Sequence, residues 1–482
     1  MSEREFDFII FGGTGITGKC VLRNLVKELE LEKRPRWIAI VGSNKTQLKM
    51  AVTEIAIQMD RNLNDVDLIV ADFNDEASLL SLCARTKVLL NAYDPCNTLL
   101  REKLAKACIE KRTHMLDISD DPEFIELIQF KYHEAAKASG VYLICSVNFN
   151  CVPIDIGVDY LKQQFLPAGR LHSVESYFSF TRNNHRYHPQ LNSFVVNPIL
   201  QSSYLNNSML TYHNNADIKP SQLSQWITSS TSSTDANSLR SLSLSSFKSS
   251  KSLLKCFPRR NKELSAWSIP IATNKVIWKS QKWFYEAYRE PPIRFEQHLV
   301  VSQWHQLIFI VLSLIYLTSL SWFSFSRKLL SNYPDLLTFG FLSNSNNDRK
   351  EVKQSLDNNN NSSSLTSLTT SPPSSTPSPS SSSSSSSFSI HLVGQGWDSP
   401  SDSSDGQYKF PPNKTIRVSI NGSKSDCETT SLILIQSGLT ILEESSSMPY
   451  KGGCLTPAFA FRYTSIRDRL HQKGLQFKIL HH

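Results

Sequence analysis

Short apolar runs alternate with amphipathic stretches of helical length in the first third of the chain. From Phe6 to Val147 this alternation keeps the rhythm of βαβ units. The predicted strands are Phe6–Phe11, Trp37–Val41, Asp67–Ala71, Val88–Asn91, His114–Asp117 and Val141–Ile144, and the predicted helices are 16–31, 45–60, 76–85, 97–111 and 122–138. Parallel strands joined by helices form a sheet that is covered on both faces. The pattern therefore predicts a doubly wound, Rossmann-type α/β domain over residues 1–150.

Beyond residue 150 the pattern becomes irregular. The clearest predicted elements are a helix from Val152 to about Phe165, strands at Val174–Thr181 and Ser265–Lys279, a helix at Leu432–Leu442, a helical turn at Asp468–Lys473 and a strand at Phe477–Leu480. We predict a second, α+β domain built from residues 151–227, 263–300 and 389–482. Its C-terminal part is expected to pack back on this second domain.

Two inserts interrupt the second domain. Residues 228–262 are rich in Ser, and residues 350–388 consist mainly of Asn, Ser and Pro. Neither insert has enough apolar surface to offset the entropy lost on ordering. Both are predicted to be disordered.

An uncharged apolar segment lies between the two inserts, within residues 301–330. Leu307–Phe325 is about as long as the hydrocarbon core of a bilayer requires, and Arg327 and Lys328 follow it. We predict that this segment associates with a membrane or lipid surface. Spanning, lying in the plane of the surface, and burial as a core helix are three arrangements that the sequence leaves open.

Charge and cysteine content exclude several classes of protein. The 482 residues carry 51 Lys and Arg against 43 Asp and Glu, and this excess is too diffuse for a nucleic-acid interface. The acidic start Met1–Glu5 lacks the pattern of a secretory signal, so we expect an intracellular protein. The nine cysteines are scattered without a Cys-x-x-Cys pair, which predicts reduced thiols and no zinc site.

The first strand runs directly into a glycine-rich turn, Gly12 to Gly18, and a helical pattern follows. Gly12 permits the tight turn, Gly15 lets backbone N–H groups approach a pyrophosphate, and Gly18 lets the helix pack on its strand. The helix N-terminus then attracts the anion. We predict that a dinucleotide is held here. The predicted contact residues are Gly12, Thr14, Gly15, Ile16 and Gly18.

Residues after the next strands are predicted to contact the rest of the dinucleotide. Ser43, Asn44 and Lys45 follow the second strand, where NAD-specific sites carry an acidic residue. No carboxylate is present here to repel a 2′-phosphate, which favours NADP over NAD, although Lys45 is equally typical of a surface helix start. Asp72 after the third strand is assigned to the adenine side, and Asn91 at the end of the fourth to the nicotinamide side.

A proton donor for hydride transfer is harder to find. No tyrosine is followed by Lys four residues later, so the Tyr-x-x-x-Lys pair of short-chain dehydrogenases is absent. His185 and His188 form the only cluster of candidate donors near a predicted strand end, and a polar surface loop is the competing interpretation. No carboxylate or cysteine supports metal binding by this pair, so no metal is predicted.

Several segments together resemble the saccharopine dehydrogenase-like oxidoreductases. They are Phe11–Gly18, Leu116–Ser119, Pro122–Phe124, Gly140–Tyr142 through Gly157, Trp267–Pro270, Gly394–Gly396 and Thr456–Ala458. The resemblance covers nearly the whole chain apart from the Ser-rich inserts. It implies an NAD(P)-binding Rossmann domain followed by an α+β domain. It also implies that the apolar segment is linked to lipid droplets or other membranes, and that the protein is similar to reductases of lipid or glycolipid biosynthesis. An enzyme held at a lipid surface gains most from a substrate that partitions there, so we expect an apolar substrate.

Four positions depart from the pattern of this family. Ser43 replaces an Arg that would pair a phosphate, Asp94 replaces a Gly beside the nicotinamide side, and Asp120 and Asn148 replace further glycines. A side chain at a former glycine is unfavourable where the backbone needs positive φ or close ligand approach. These departures support an alternative hypothesis, a catalytically degenerate Rossmann protein that acts as an interaction protein on lipid surfaces.

Overall fold

The protein is described here by a computed structural model that covers most of both predicted domains. The residues it describes are 4–32, 37–93, 98–182, 259–261, 266–271, 275–301, 303–304, 307–308, 312, 386–399, 408 and 410–480. His185, His188 and Asp94 lie outside these ranges. So do most of Leu307–Phe325 and nearly all of both predicted inserts.

Seven parallel strands form the first sheet. They are β1 (Phe6–Phe11), β2 (Ile38–Gly42), β3 (Asp67–Val70), β4 (Thr86–Asn91), β5 (His114–Asp117), β6 (Tyr142–Ile144) and β13 (Gly453–Leu455). Their order is β13-β6-β5-β4-β1-β2-β3, which confirms the predicted doubly wound sheet and all six predicted strands. The order reverses between β1 and β4, and ligands of such sheets bind at the carboxyl ends of the strands at this reversal.

Five helices connect the first six strands, at the predicted positions. They are α1 (Ile16–Glu32), α2 (Lys45–Met59), α3 (Glu76–Ala84), α4 (Thr98–Lys111) and α5 (Pro122–Ser139). Two of them begin at side-chain caps: Asn44 accepts hydrogen bonds from the N–H groups of Thr46 and Gln47, and Asp75 does the same for α3. Such caps satisfy backbone donors that a helix cannot pair internally.

The C-terminal segment completes the first sheet as well as the second. Helix α8 (Asp426–Glu444) packs on α1 and β4. It also lies close to β1, because a Cβ on Gly438 would be 2.7 Å from Cε1 of Phe8. Strand β13 extends the sheet beside β6. The prediction that this segment packs back on the second domain is therefore wrong for these two elements. Without them, the apolar face around Phe8 and the edge of β6 would be open to water.

A second sheet of seven strands follows the first along the chain. Its strands are β7 (Arg170–Arg182), β8 (Arg259–Asn261), β9 (Ala266–Ile271), β10 (Arg294–Val301), β11 (Ser386–Trp397), β12 (Lys414–Gly422) and β14 (Gln476–Leu480). The order is β14-β12-β11-β7-β10-β9-β8, with both parallel and antiparallel pairs. Helix α6 (Val152–Gln163) lies on this sheet, because a Cβ on Gly157 would lie 2.5 Å from Cδ1 of Ile420. The predicted second α+β domain is confirmed at this level.

Three predicted boundaries are corrected. The strand predicted at Ser265–Lys279 ends at Ile271, and helix α7 (Lys275–Tyr288) begins four residues later, with Val276, Ser280 and Phe284 buried on one face. Strand β8 lies within the end of the predicted insert 228–262, and β11 begins two residues before the predicted end of the insert 350–388. Strand pairing satisfies backbone hydrogen bonds whatever the composition, so composition alone misplaced these ends.

Two shorter helices and one disulfide also lie in the described ranges. The helices are α9 (Pro457–Phe461) and α10 (Ile466–Gln472). Cys20 of α1 and Cys427 of α8 form a disulfide, which corrects the expectation that every thiol is reduced. A sequence separation of 407 residues hides this pair from sequence reasoning. Within the ranges given above, no helix is both long and apolar enough to cross a membrane.

Candidate functional site

The glycine-rich turn lies at the carboxyl end of β1, at the reversal of strand order. Gly12 has a positive φ of 84°, and a Cβ there would lie 2.7 Å from Cα of Tyr93. The N–H groups of Gly12 and Gly13 donate to the carbonyl oxygen of Val41 at 3.2 and 3.1 Å. Only glycine satisfies both the conformation and the close approach at residue 12, so the turn is held tightly between β2 and β4.

Gly18 and Gly15 serve the turn in different ways. A Cβ on Gly18 would overlap the carbonyl oxygen of Gly12, so Gly18 is required for packing. Gly15 is exposed, and a Cβ there would meet only the Gly12 oxygen, at 3.4 Å. Ile16 begins α1 and is also exposed, while Thr14 is half-buried. The first turn of α1 therefore opens to solvent at Gly15, and its N–H groups and helix dipole suit a pyrophosphate.

The residues assigned to the adenosine ribose surround the start of α2. Ser43, Asn44 and Lys45 are all exposed at the carboxyl end of β2. The side chain of Asn44 accepts from Thr46 N at 2.8 Å and from Gln47 N at 3.2 Å, so its main role here is to cap the helix. Ser43 and Lys45 extend beside this cap with no carboxylate in the turn. A hydroxyl and an ammonium group at a helix start fit a 2′-phosphate.

Asp72 lies in the loop that follows β3 and is exposed. Its carboxylate accepts from Asn74 N at 2.9 Å, and its own N–H donates to Ser78 Oγ at 3.0 Å, so it organises the loop. Beside it Phe73 packs on Phe11 and Tyr93, with ring centroids 4.5 and 5.7 Å apart. The assignment of Asp72 to the adenine side stays a prediction, and these aromatic rings form the apolar surface next to it.

Asn91 lies inside the protein at the end of β4. It is fully buried, its amide nitrogen donates to Oδ2 of Asp117 at 2.8 Å, and its amide oxygen accepts from Tyr93 N at 3.2 Å. Both polar atoms of this side chain are thus used within the protein. The predicted contact of Asn91 with the nicotinamide is untested, and the geometry shows a residue that fixes the carboxyl ends of β4 and β5.

Asp117 and Arg101 are site residues that sequence reasoning missed. Oδ1 of Asp117 accepts from Ser119 N at 2.6 Å, and Nε of Arg101 on α4 lies 3.8 Å from Oδ2, with both side chains buried. The guanidinium of Arg101 also lies over the ring of Phe124. Asp117 pairs with Asn91 in the strand register, so two polar residues ending neighbouring strands were the available signal. A buried charge needs such a partner.

One of the departures from the family pattern, Asn148, has a structural role. Asn148 is buried, its amide nitrogen donates to the carbonyl oxygen of Ile118 at 2.7 Å, and its amide oxygen accepts from Cys151 N at 3.0 Å. It therefore joins the loop after β5 to the start of α6. Neither Asp120 nor Asn148 is among the described residues with positive φ, so the strain expected at these former glycines is not observed.

Lys279 of α7 is a third missed residue, and it lies near the carboxyl end of β6. Its side chain is buried, with Nζ 3.6 Å from Oε1 of Glu126. Burial lowers the pKa of Lys279 to about 8, while Glu126 opposes this shift. Burial and Asp117 raise the pKa of Cys145, the residue after β6, whereas the charges of Lys279 and Arg101 lower it. A lysine that titrates near neutral pH can donate a proton.

Comparison with known proteins agrees with this geometry. A family model described as saccharopine dehydrogenase NADP binding domain matches residues 8–144. A rat protein named saccharopine dehydrogenase-like oxidoreductase is 26% identical over 99% of this chain and 98% of its own length. A Caenorhabditis elegans protein named lipid droplet localized protein is 23% identical over 98% of each chain.

A solved structure shares the architecture. Apo saccharopine dehydrogenase (L-Glu forming) from Saccharomyces cerevisiae superimposes with a TM-score of 0.50 at 10% identity, covering 98% of this chain and 100% of that chain. At this identity the likeness concerns the fold alone. The NADP-binding match over β1 to β6 confirms the predicted NAD(P) cofactor and favours NADP.

Proposed function

We propose that this chain is a saccharopine dehydrogenase-like oxidoreductase that uses NADPH to reduce an apolar substrate at a lipid surface. The observation that carries the proposal is the exposed turn at Gly15, which leaves the N-terminus of α1 open to a pyrophosphate. Gly12, Thr14, Gly15, Ile16 and Gly18 would hold this part of the cofactor.

The remaining candidate residues divide the work of binding and proton transfer. The nicotinamide cofactor supplies hydride transfer when it is bound. Ser43 and Lys45 would hold its 2′-phosphate, and the Asn91–Asp117 pair would keep the nicotinamide end of the sheet rigid. The protein must also provide a proton for the reduced product. Lys279 joins His185 and His188 as a candidate, because a buried lysine with a pKa of about 8 holds a transferable proton near neutral pH.

The proposal that the protein acts at a lipid surface is supported by exposed apolar residues near the start of the apolar segment. Trp304, Ile308 and Leu312 are helical and spaced by four residues, with 65%, 49% and 60% of their surfaces exposed. Residues at this spacing share one face of a helix. Exposed apolar side chains at these three positions suit a lipid surface, and the name of the worm relative points to lipid droplets. A role in glycolipid metabolism is a finer proposal that rests on the family resemblance.

Isotope transfer tests the proposal directly. The full chain is incubated with NADPH deuterated at C4 and with vesicles that carry long-chain ketones or enones. Mass spectrometry should detect one deuterium in a reduced lipid, since the hydride moves from C4 to the acceptor. The matched control is Gly15→Val, which blocks the exposed turn while meeting little else in the fold.

The same experiment separates the proposal from its alternative. Deuterium transfer that is lost in Gly15→Val supports an enzyme. Saturable NADPH binding without transfer to any acceptor of the panel supports the degenerate Rossmann protein. The structural roles found for Asn148, and the ordinary backbone at Asp120 and Asn148, remove part of the argument for that alternative.

A further inference from the structure

The Cys20–Cys427 disulfide joins α1, which begins at the predicted cofactor site, to α8, which packs on α1. Cys20 lies five residues beyond Gly15 on α1, and Cys427 is the second residue of α8. Their Cα atoms are 6.5 Å apart, within the range of disulfide bridges. Sγ of Cys427 also lies 3.6 Å from the carbonyl oxygen of Ile16, the first residue of α1. The bridge therefore lies beside the first residue of α1, which follows Gly15.

We infer that Cys20 and Cys427 form a reversible thiol–disulfide switch that sets the affinity of the glycine-rich turn for its cofactor. This inference rests on the proposed function for its effect on the cofactor, but not for the chemistry of the two cysteines. In the oxidised form the bridge holds the N-terminal parts of α1 and α8 together. In the reduced form the first turn of α1 loses this restraint.

Other contacts between the two helices confine the effect to one end. Nη2 of Arg23 lies 3.0 Å from Oε1 of Glu428, and further along Gln436 Nε2 donates to Oε1 of Glu28 at 3.0 Å. These polar contacts do not depend on the redox state, so α1 and α8 stay packed after reduction. The change is therefore expected at the N-terminus of α1, where the bridge lies nearest to Gly15.

Accessibility distinguishes this pair from the other described cysteines. Cys20 and Cys427 are half-buried, whereas Cys83, Cys108, Cys145, Cys151 and Cys454 are buried thiols. Even Cys83 and Cys108, whose sulfur atoms lie 3.6 Å apart, are enclosed, and burial raises the pKa of Cys108. A thiolate is the species that exchanges, so buried thiols of raised pKa react slowly.

The reaction is ordinary thiol–disulfide exchange with a dithiol reductant. A thiolate of the reductant attacks one sulfur of the bridge and releases the other cysteine as a thiolate. The second thiol of the reductant then attacks the reductant sulfur of the mixed disulfide and releases the remaining cysteine. Two electrons and two protons pass to Cys20 and Cys427, and the reductant leaves as its own disulfide. In reducing compartments, persisting disulfides are usually catalytic or redox-sensing.

A redox titration of the full chain tests the switch itself. The native protein is equilibrated with mixtures of reduced and oxidised dithiothreitol, trapped with N-ethylmaleimide, and mapped by mass spectrometry. One reversible two-thiol change at Cys20 and Cys427 is expected, with Cys83 and Cys108 unlabelled throughout. Labelling of Cys20 and Cys427 in protein kept without reductant, or a bridge that survives excess dithiothreitol, overturns the inference.

NADPH affinity of the oxidised and reduced forms tests the coupling. A mobile first turn must be ordered when the cofactor binds. Reduction should therefore raise the dissociation constant of NADPH roughly threefold or more. Cys20→Ser and Cys427→Ser should both show the reduced value, and dithiothreitol should no longer change it. Equal affinity of both redox forms overturns the coupling. Absence of NADPH binding in either form instead refutes the proposed function, while the redox titration still reports on the bridge.

Discussion

Gly15 and Gly18 are three residues apart in one turn, and we expect alanine to destabilise the protein at Gly18 but not at Gly15. Alanine at Gly18 would overlap the Gly12 carbonyl oxygen, whereas alanine at Gly15 would have space. We expect Gly18→Ala to lower the free energy of unfolding by about 1–3 kcal/mol, the usual cost of overpacking. Gly15→Ala should leave that free energy unchanged. Urea denaturation followed by circular dichroism measures both, and equal stability of the two variants would contradict the assigned roles.

His114 is expected to make the protein sensitive to acid. Its Nδ1 accepts from the backbone N–H of Tyr142 at 3.1 Å, which links β5 to β6 and requires an unprotonated nitrogen. Burial lowers the pKa of His114 to about 4. An unfolded histidine titrates near 6.5, so the unfolded chain takes up the proton first as pH falls from about 6.5 to 4. The contribution of His114 is present above this window and lost within it, up to about 3 kcal/mol.

The comparison of wild type with His114→Asn isolates this effect. Asn offers an oxygen in place of Nδ1 and does not titrate, so the difference in unfolding free energy should depend on pH only between about 4 and 6.5. The two proteins must be compared because other groups titrate in the same pH range: burial raises the pKa of Asp155 to about 7 and that of Asp159 to about 6. These carboxyl groups stabilise the fold at low pH and lose that contribution as pH rises. A pH-independent difference would refute the role of His114.

At the scale of single elements, α8 is, with β13, one of two elements that sequence reasoning placed wrongly. Its apolar pattern predicted a helix at Leu432–Leu442, and the structure extends it to Asp426–Glu444. Its position on α1 and β4 depends on side chains more than 400 residues away, such as Phe8 against Gly438. Local patterns predict which segments are helices, but such distant contacts decide where they pack.

Gly438 gives a test of this packing. Glycine to alanine inside a helix normally gains about 1 kcal/mol from helix propensity. Here the new Cβ would lie 2.7 Å from a fully buried ring of Phe8 and 3.3 Å from Leu90. We therefore expect Gly438→Ala to lower the free energy of unfolding, by about 1–3 kcal/mol. A stabilised variant would show that α8 does not pack on the sheet as described.

The candidate site was predictable to the extent that it lies on consecutive βα units. The strand, turn and helix around Gly12–Gly18 are local, and so are the positions of Ser43, Lys45 and Asp72. Arg101 and Lys279 were not predictable, because only the folded sheet brings them close to Asp117 and Cys145. The sequence identified Asn91 as a candidate site residue, but it did not predict that Asn91 is buried against Asp117. Periodicity indicates which face of an element is buried, and it does not identify polar partners across it.

For the whole molecule, the exposed apolar face predicts attachment to lipid. Replacing Trp304, Ile308 and Leu312 by Ser should remove three exposed apolar side chains from this part of the chain. We expect the full chain to float with phosphatidylcholine vesicles in a density gradient, and the triple variant to float less. Deletion of residues 307–325 should abolish flotation, because burial of each apolar side chain contributes roughly 1.5–3 kcal/mol. Unchanged flotation of the deletion variant would contradict lipid attachment by this segment.

The central claim is that the turn from Gly12 to Gly18 binds NADPH, and a fluorescence titration of the full chain measures this most directly. We expect saturable binding, with NADPH preferred over NADH because Ser43 and Lys45 accompany a turn without a carboxylate. Gly15→Val should raise the dissociation constant of NADPH by at least about tenfold, which corresponds to a loss of about 1.4 kcal/mol in binding free energy. No saturable binding up to about 1 mM NADPH, where binding is worth only about 4 kcal/mol, would contradict the claim. Equal affinity of wild type and Gly15→Val would contradict it as well.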